Sequence, residues 1–412
     1  MIHEFETSKT NSLTMKILII SSNIPAPDHA SGDLRFYTML KLIAETHQVT
    51  LCPFNLERQN KEMGAAVTKT YIEQLDAINV RLGATDVLMT LRNELFDLII
   101  YEFYHYVSRY IDFVRFYQPQ ARVLIDSVDI HYNRLFSKAT LTGISSDLKT
   151  AVTVKQQELV AYRLADLIIV VTEDDGLLLK KDAPSTQIGL LPNIHRIPEF
   201  IAVLPPYTKL LFVGSFKHEP NVDAVLYFCK DIFPLLLKMN SSFTLEVIGP
   251  NPPESILALQ SDHIFIRGFV ECLDDYYRNA HISVAPLRFG AGMKGKIGEA
   301  LSFGLPVVTT EIGAEGFGLS QNENILVART SLDFAESILQ LSQDNQLYKK
   351  LSTNGYDFIK ENYSEVATRA KLINLIYQAL LLPPKKLLPL TRLILWLQLN
   401  YNRYIGWRFK HV

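Results

Sequence analysis

Short, unbroken apolar runs recur along this chain, each separated from the next by enough residues for one helix. The first is Met15-Lys16-Ile17-Leu18-Ile19-Ile20-Ser21, and Val49–Cys52, Leu98–Tyr101, Val123–Ile125 and Leu167–Val171 follow. An apolar run without polar alternation, closed by turn residues, is what a strand covered on both faces of a parallel sheet requires. The stretches between the runs, such as Leu34–Ile43, carry helical apolar spacing, so the alternation predicts a doubly wound α/β domain. A second series opens at Lys209-Leu210-Leu211-Phe212-Val213-Gly214 and continues through Thr244–Gly249, His263–Ile266, Ile282–Pro286 and Pro306–Thr309. Between the two series, from Leu191-Pro192 to Leu204-Pro205-Pro206, prolines interrupt any regular element. Two Rossmann-like domains are therefore expected, residues 15–200 and 201–365, facing each other across a cleft. The ligand site of such sheets lies at the carboxyl ends of their strands. No internal repeat is visible.

Composition narrows the function classes. With 48% hydrophobic and 20% charged residues the chain can bury a core and is not of the disordered type. A net charge of −2 gives no basic field for nucleic acid, so no nucleic-acid partner is expected. Cys52, Cys229 and Cys272 are few and far apart, which argues against disulfides or a zinc site. Residues 1–14 are expected to be a disordered tail, and they lack the basic and apolar regions of a signal peptide. Leu387–Leu399 is interrupted by Pro389 and Arg392 and falls short of the ~20 residues that span a bilayer. The expected location is therefore cytoplasmic. Residues 383–412 stand apart: six Lys and Arg and no acidic residue lie between Leu381 and Val412, interleaved with leucines, Trp396 and Trp407. That mixture suits either an anionic membrane surface or packing on protein.

Four segments could carry chemistry. In Ala285–Leu301 a strand runs into the glycine-rich loop Gly290-Ala291-Gly292-Met293-Lys294-Gly295 and then a helix. Glycines allow backbone N–H groups close to an anion, and the helix N-terminus adds partial positive charge. Lys294 and Lys296 contribute full charges, and Glu299, one turn after Lys296, could accept from a ribose diol. The pattern Gly290-x-Gly292-x-x-Gly295 alone is also a dinucleotide fingerprint, but it comes late in its domain rather than in the first strand-to-helix turn. After the first strand, Asp28-His29-Ala30-Ser31-Gly32-Asp33-Leu34-Arg35 leads into a helix; Asp33 could cap it, and Arg35 would face the cleft or the surface. Asp129 and His131 gather at another strand end, where they could orient an acceptor hydroxyl and move a proton, with Glu102 on the neighbouring strand. Gly214 and Ser215 end the first strand of the second series, with Lys217 nearby as a phosphate contact.

Together these segments resemble the retaining family-four glycosyltransferases of GT-B fold. Ser31-Gly32-Asp33-Leu34-Arg35, Val128-Asp129-Ile130-His131, Leu191-Pro192-Asn193-Ile194-His195 and Gly313-Ala314-Glu315-Gly316 occur in the expected order, with Phe212–Ala224 and Gly290–Gly316 as the most specific parts. The resemblance implies transfer of a sugar from a UDP- or GDP-sugar to a hydroxyl of a glycan or lipid-linked acceptor, with retention at the anomeric carbon. It implies no catalytic metal and no cofactor beyond the nucleotide-sugar co-substrate. The second domain would hold the donor through Gly214, Ser215, Lys217, Val270, Gly292, Met293, Lys294, Lys296 and Glu299. Gly32, Arg35 and Glu102 would serve the acceptor side, and Asp129, His131 and Lys296 the chemistry. A helix over residues 366–382 would cross back to the first domain, and Asn193–Pro206 would be the hinge. Two departures stand out: Ala291 occupies a position where many relatives have Glu, and Ser215 one where Arg is common. They leave open a non-catalytic scaffold, and the fold alone leaves open a nucleotide-sugar epimerase.

Overall fold

The computed structural model of the chain describes residues 14–404 apart from 85 and 202–207. The expected N-terminal tail therefore lies, but for Thr14, outside the described residues. The linker expected as the hinge is described only as far as Ile201.

Two all-parallel sheets form the molecule. The first runs in the order β3-β2-β1-β4-β5-β6-β7, with β1 Lys16–Ser21, β2 Gln48–Pro53, β3 Val80–Leu82, β4 Leu98–Glu102, β5 Arg122–Asp126, β6 Leu167–Val170 and β7 Ile188–Leu190. The second runs β10-β9-β8-β11-β12-β13, with β8 Lys209–Val213, β9 Thr244–Ile248, β10 Ile264–Gly268, β11 Ile282–Ala285, β12 Val307–Thr309 and β13 Leu326–Val327. Every apolar run read from the sequence is a strand. The strands β3, β7 and β13 were not legible: each is an edge strand of three residues or fewer, too short to leave an apolar run of its own.

In both sheets the strand order reverses beside the first strand, between β1 and β4 and between β8 and β11. Helices leaving neighbouring strands there go to opposite faces, which opens a crevice above the strand ends. Apolar clusters fill both faces of each sheet. Helix Glu365–Leu381, capped by the Ser364 side chain accepting from the Ala367 N–H, inserts Leu372, Leu375, Ile376 and Ala379 into the first domain's core. The chain thus returns to the domain it began in. Beyond it, helix Pro389–Tyr404 occupies part of the segment read as a tail.

One local reading is corrected. Helix Ser31–Ala44 begins three residues before Leu34, with Ala30 at its N-cap and no side-chain cap. Asp33 therefore sits in the first turn rather than capping it. Burial, opposed by a hydrogen bond from the Ala26 backbone and reinforced by Asp28, pushes its carboxyl up to about 7.

Candidate active site

The two reversal points face each other across a cavity of about 630 Å³. Loops leaving the carboxyl ends of β1, β4, β5, β8, β9, β10 and β11 all contribute to its lining. Contacts across the cleft hold the domains together at its rim. The His29 and Phe269 rings stack at 4.5 Å, Lys138 Nζ meets Glu219 Oε2 at 2.7 Å, and Asn193 Nδ2 donates to the Met293 carbonyl at 3.4 Å.

On the second-domain wall, helix Gly295–Ser302 opens toward the cavity with no side chain capping its N-terminus. Lys296 lies in its first turn. The Lys296 ammonium donates to Asn221 Oδ1 and stands 4.2 Å over the Phe212 ring, and no carboxylate pairs with it among the described residues. Enclosure in the cleft pushes it down to about 7. Asn221 is held in turn by donating from Nδ2 to the Ser215 carbonyl at 2.7 Å. Gly214 lies against this pair: a Cβ there would come within 2.7 Å of both Lys296 Nζ and Asn221 Nδ2. Glu299, one turn on, accepts from the Tyr277 hydroxyl at 3.1 Å, and burial raises its carboxyl to about 7.

Lys294 also lines the cavity, but it is committed elsewhere: its ammonium bonds Glu315 Oε2 at 3.0 Å. Burial lowers it, and Glu315 works against that lowering. At Lys296 no such counter-charge exists among the described residues, so an anion entering the cavity would meet an ammonium that has lost much of its hydration and gained no ion pair.

The first-domain wall is built around helix His131–Thr142. Glu158, fully buried, accepts from the His131 and Tyr132 N–H groups at 3.1 and 2.9 Å and from the Tyr162 hydroxyl at 2.6 Å. A carboxylate thus already occupies that helix N-terminus, as the partial positive charge there favours. Just before it, Val128 adopts φ +58° and Phe103, opposite, φ +65°. Left-handed backbone at a β-branched and an aromatic residue is costly, and both residues line the cavity. Asp129 Oδ2 accepts from Arg134, and Oδ1 lies 3.5 Å from His131 Nε2. Asp129 is therefore an orienting anion between two nitrogen groups rather than a free base.

The cavity brings together Gly32, Asp129, His131, Gly214, Ser215, Val270, Met293, Lys294, Lys296 and Glu299. Four expected residues are elsewhere. Arg35, fully buried, forms a two-pronged bond with Asp126 at 2.6 and 3.0 Å and donates to the Leu191 and Pro192 carbonyls, so it faces neither cleft nor surface. Glu102 is buried beneath the site; desolvation, with Asp33 and Asp126 close by, holds its carboxyl well above the usual range. Lys217 is exposed and pairs with Glu62 of the other domain at 3.3 Å. Gly292 turns the loop at φ +62° and packs its backbone against Asp129, where a Cβ would lie 3.1 Å from that residue's own. Its role is to shape the loop.

Sequence reasoning missed Arg134, His218, Asn221 and Arg196 as lining residues. Arg134 lies three residues after His131, and that spacing on a helix was the available signal. His218 is lowered to about 4 by its enclosure, then by the Arg134 and Lys296 charges. Among the described residues no group of three or more His, Cys, Asp or Glu side chains is placed to hold a metal ion.

Residues 207–344, the domain that carries Lys296 and Glu299, match the family described as Glycosyl transferases group 1. The second domain is a group 1 glycosyltransferase domain. An uncharacterized 44.6 kDa protein in the cps region of Klebsiella pneumoniae is 23% identical over 382 residues, 84% of this chain and 96% of that protein. Among solved structures, Anabaena Alr3699/HepE in complex with UDP-glucose superposes with a TM-score of 0.65 at 13% identity, over 88% of this chain and 100% of that one. A point mutant of S. aureus TarM, solved with Fondaparinux, alpha-GlcNAc-glycerol and UDP, gives 0.57 at 15% identity over 70% of this chain. This chain spans 57% of TarM. The two facing parallel sheets of this chain have the GT-B fold of these neighbours.

Proposed function

We propose that this protein transfers a sugar from a nucleotide-sugar to a hydroxyl of a glycan or lipid-linked acceptor, with retention, in cell-surface polysaccharide or glycolipid synthesis. The observation that carries the reading is the Lys296 ammonium, enclosed in the cleft without a carboxylate and one helical turn from Glu299. A diphosphate supplies the missing counter-charge, and the Glu299 carboxylate accepts from the ribose hydroxyls of the same molecule. Uncapped N–H groups at the start of helix Gly295–Ser302 add to the anion site. Where many relatives place an arginine, Ser215 stands, and Arg134 reaches the same cavity from the opposite domain.

Transfer breaks the bond between the anomeric carbon and a diphosphate oxygen, forms one to the acceptor oxygen, and releases the acceptor's proton. Negative charge grows on the leaving diphosphate, where Lys296 and the helix N-terminus are already aimed. Asp129 and His131 line the side from which an acceptor would enter, with Asp129 orienting His131 and Arg134. The ligands named for the HepE and TarM structures support a uridine nucleotide, and the cps-region relative supports a polysaccharide pathway.

Thermal shift against UDP-glucose, UDP, GDP and ADP, with Lys296→Met and Glu299→Gln as controls, tests the reading. A midpoint rise with one nucleotide, lost in both variants, is expected from mass action. Folded protein with no rise for any nucleotide would overturn it. Product analysis with donor alone then separates transfer from epimerisation, since an epimerase turns its substrate over without acceptor.

A further inference from the structure

A surface helix of a folded domain normally turns its apolar stripe inward and its polar face to water. Helix Pro389–Tyr404 does the reverse. It packs against helix Val107–Tyr117, and Leu395 on the inner side is only 7% exposed. At 3.6 residues per turn, Leu390, Leu393, Ile394, Trp396 and Leu397 fall on the side opposite Leu395, on an arc of roughly 160°. These five side chains are between 46% and 69% exposed. Five large apolar groups presented together to water demand a cover.

The helix is also held in place. Ahead of it, the Lys385 backbone N–H donates to Asp166 Oδ1 at 2.8 Å, and its ammonium donates to the Arg163 carbonyl at 2.7 Å. Arg122 Nε donates to the Leu382 carbonyl at 2.9 Å. The connection is thus fastened to the first domain, and the apolar arc points away from it.

Charge identifies the cover. From Leu381 to Val412 the sequence holds six Lys and Arg and no Asp or Glu. Lys386, just ahead of the helix, and Arg392, within it, are both exposed. A second copy of this chain would bring two such basic segments together, whereas an anionic bilayer attracts them and takes up the leucines and tryptophan at its interface. No described helix is long and apolar enough to cross a membrane, so the helix would lie in the surface plane. We infer that residues 383–404 form a docking face by which the first domain lies on an anionic lipid surface. The inference is independent of the transferase reading.

Co-sedimentation of the full chain with vesicles of phosphatidylcholine and phosphatidylglycerol, against pure phosphatidylcholine, tests it. The triple variant Leu393→Gln, Trp396→Gln, Leu397→Gln alters exposed side chains only, and so does the charge reversal Lys386→Glu with Arg392→Glu. Binding to the anionic vesicles is expected, weakened about tenfold or more in each variant and by high salt. The thermal midpoint and the nucleotide-induced shift of both variants should match the parent, which shows that the fold is intact. Absence of binding by the parent, or equal binding by parent and variants, would overturn the inference. So would a dimer in light scattering that the triple variant dissolves, because the cover would then be a second copy.

Discussion

Lys296 and Glu299 are pushed toward the same value from opposite sides, and this gives donor binding a pH signature. Burial lowers the lysine to about 7 and raises the glutamate to about 7. A diphosphate needs the ammonium, and a ribose diol donating to Glu299 needs the carboxylate. Affinity for a sugar nucleotide should therefore be bell-shaped, with its maximum near pH 7 and each limb falling by up to about tenfold per unit. UDP-glucose is the better probe than UDP, because its diphosphate is esterified at both ends and does not titrate in this window.

Lys296→Met should remove the alkaline limb and weaken binding by about 2–4 kcal/mol, roughly 30- to 1,000-fold, the cost of losing a charge-assisted contact in an enclosed site. Glu299→Gln should remove the acid limb. Stability should move the other way. A lysine whose folded value lies below its unfolded one costs stability in full below about pH 7, and the cost fades as the pH rises toward the unfolded value. From 10.5 to about 7 that cost has a ceiling of about 5 kcal/mol. The methionine variant without nucleotide should thus unfold later than the parent at pH 7, and the difference should shrink by pH 10. Isothermal titration across pH and urea melts read both effects. A Lys296→Met protein that binds UDP-glucose with parental affinity, or is less stable than the parent at pH 7, would refute the reasoning.

Gly214→Ala should place a methyl where Lys296 Nζ and Asn221 Nδ2 now lie 2.7 Å away; nucleotide affinity should fall about tenfold with the urea midpoint little changed. Arg35→Ala leaves Asp126 buried and unpaired, so a loss of about 3–5 kcal/mol in urea unfolding is expected, and an unchanged midpoint would remove Arg35 from its structural role. Glu158→Gln replaces the acceptor of two helix N–H groups and the Tyr162 hydroxyl by a neutral amide. It should cost about 1–3 kcal/mol and lower transfer to the acceptor more than donor binding, as parallel turnover and titration would show.

The strand runs and the loop around Lys296 were readable because their causes are local. Strands covered on both faces must be apolar at every position, and a loop that approaches an anion needs its glycines in the chain itself. Lys296 and Glu299 share a face because they lie one helical turn apart. Arg35 and Arg134 were not distinguishable in the same way. Each lies at the start of a helix that follows a strand, and only the placing of β5 two strands from β1 brings Asp126 under Arg35. Lys217 finds Glu62, 155 residues away, through the relative placement of two domains. Glu102 ends a strand beside the cleft yet is buried, with Asp33 and Asp126 close by. Contacts between distant segments decided each of these cases.

The cations of the cleft divide into two sorts, and the division says more about function than their number does. Arg134 is bound to Asp129, Arg196 to Asp274 and Lys294 to Glu315. Such pairs are largely neutral to an arriving ligand, since a diphosphate must compete with a carboxylate already in place. They fix positions, and the last two tie together residues that the sequence keeps apart. Lys296 has an amide for a partner instead, which orients the ammonium without neutralising it. The free energy lost in enclosing that ammonium is recovered only when an anion binds, so the site is destabilised empty and stabilised full. The unpaired lysine is therefore the residue on which the anion-site reading rests, and the stability of Lys296→Met without nucleotide measures what the empty site costs.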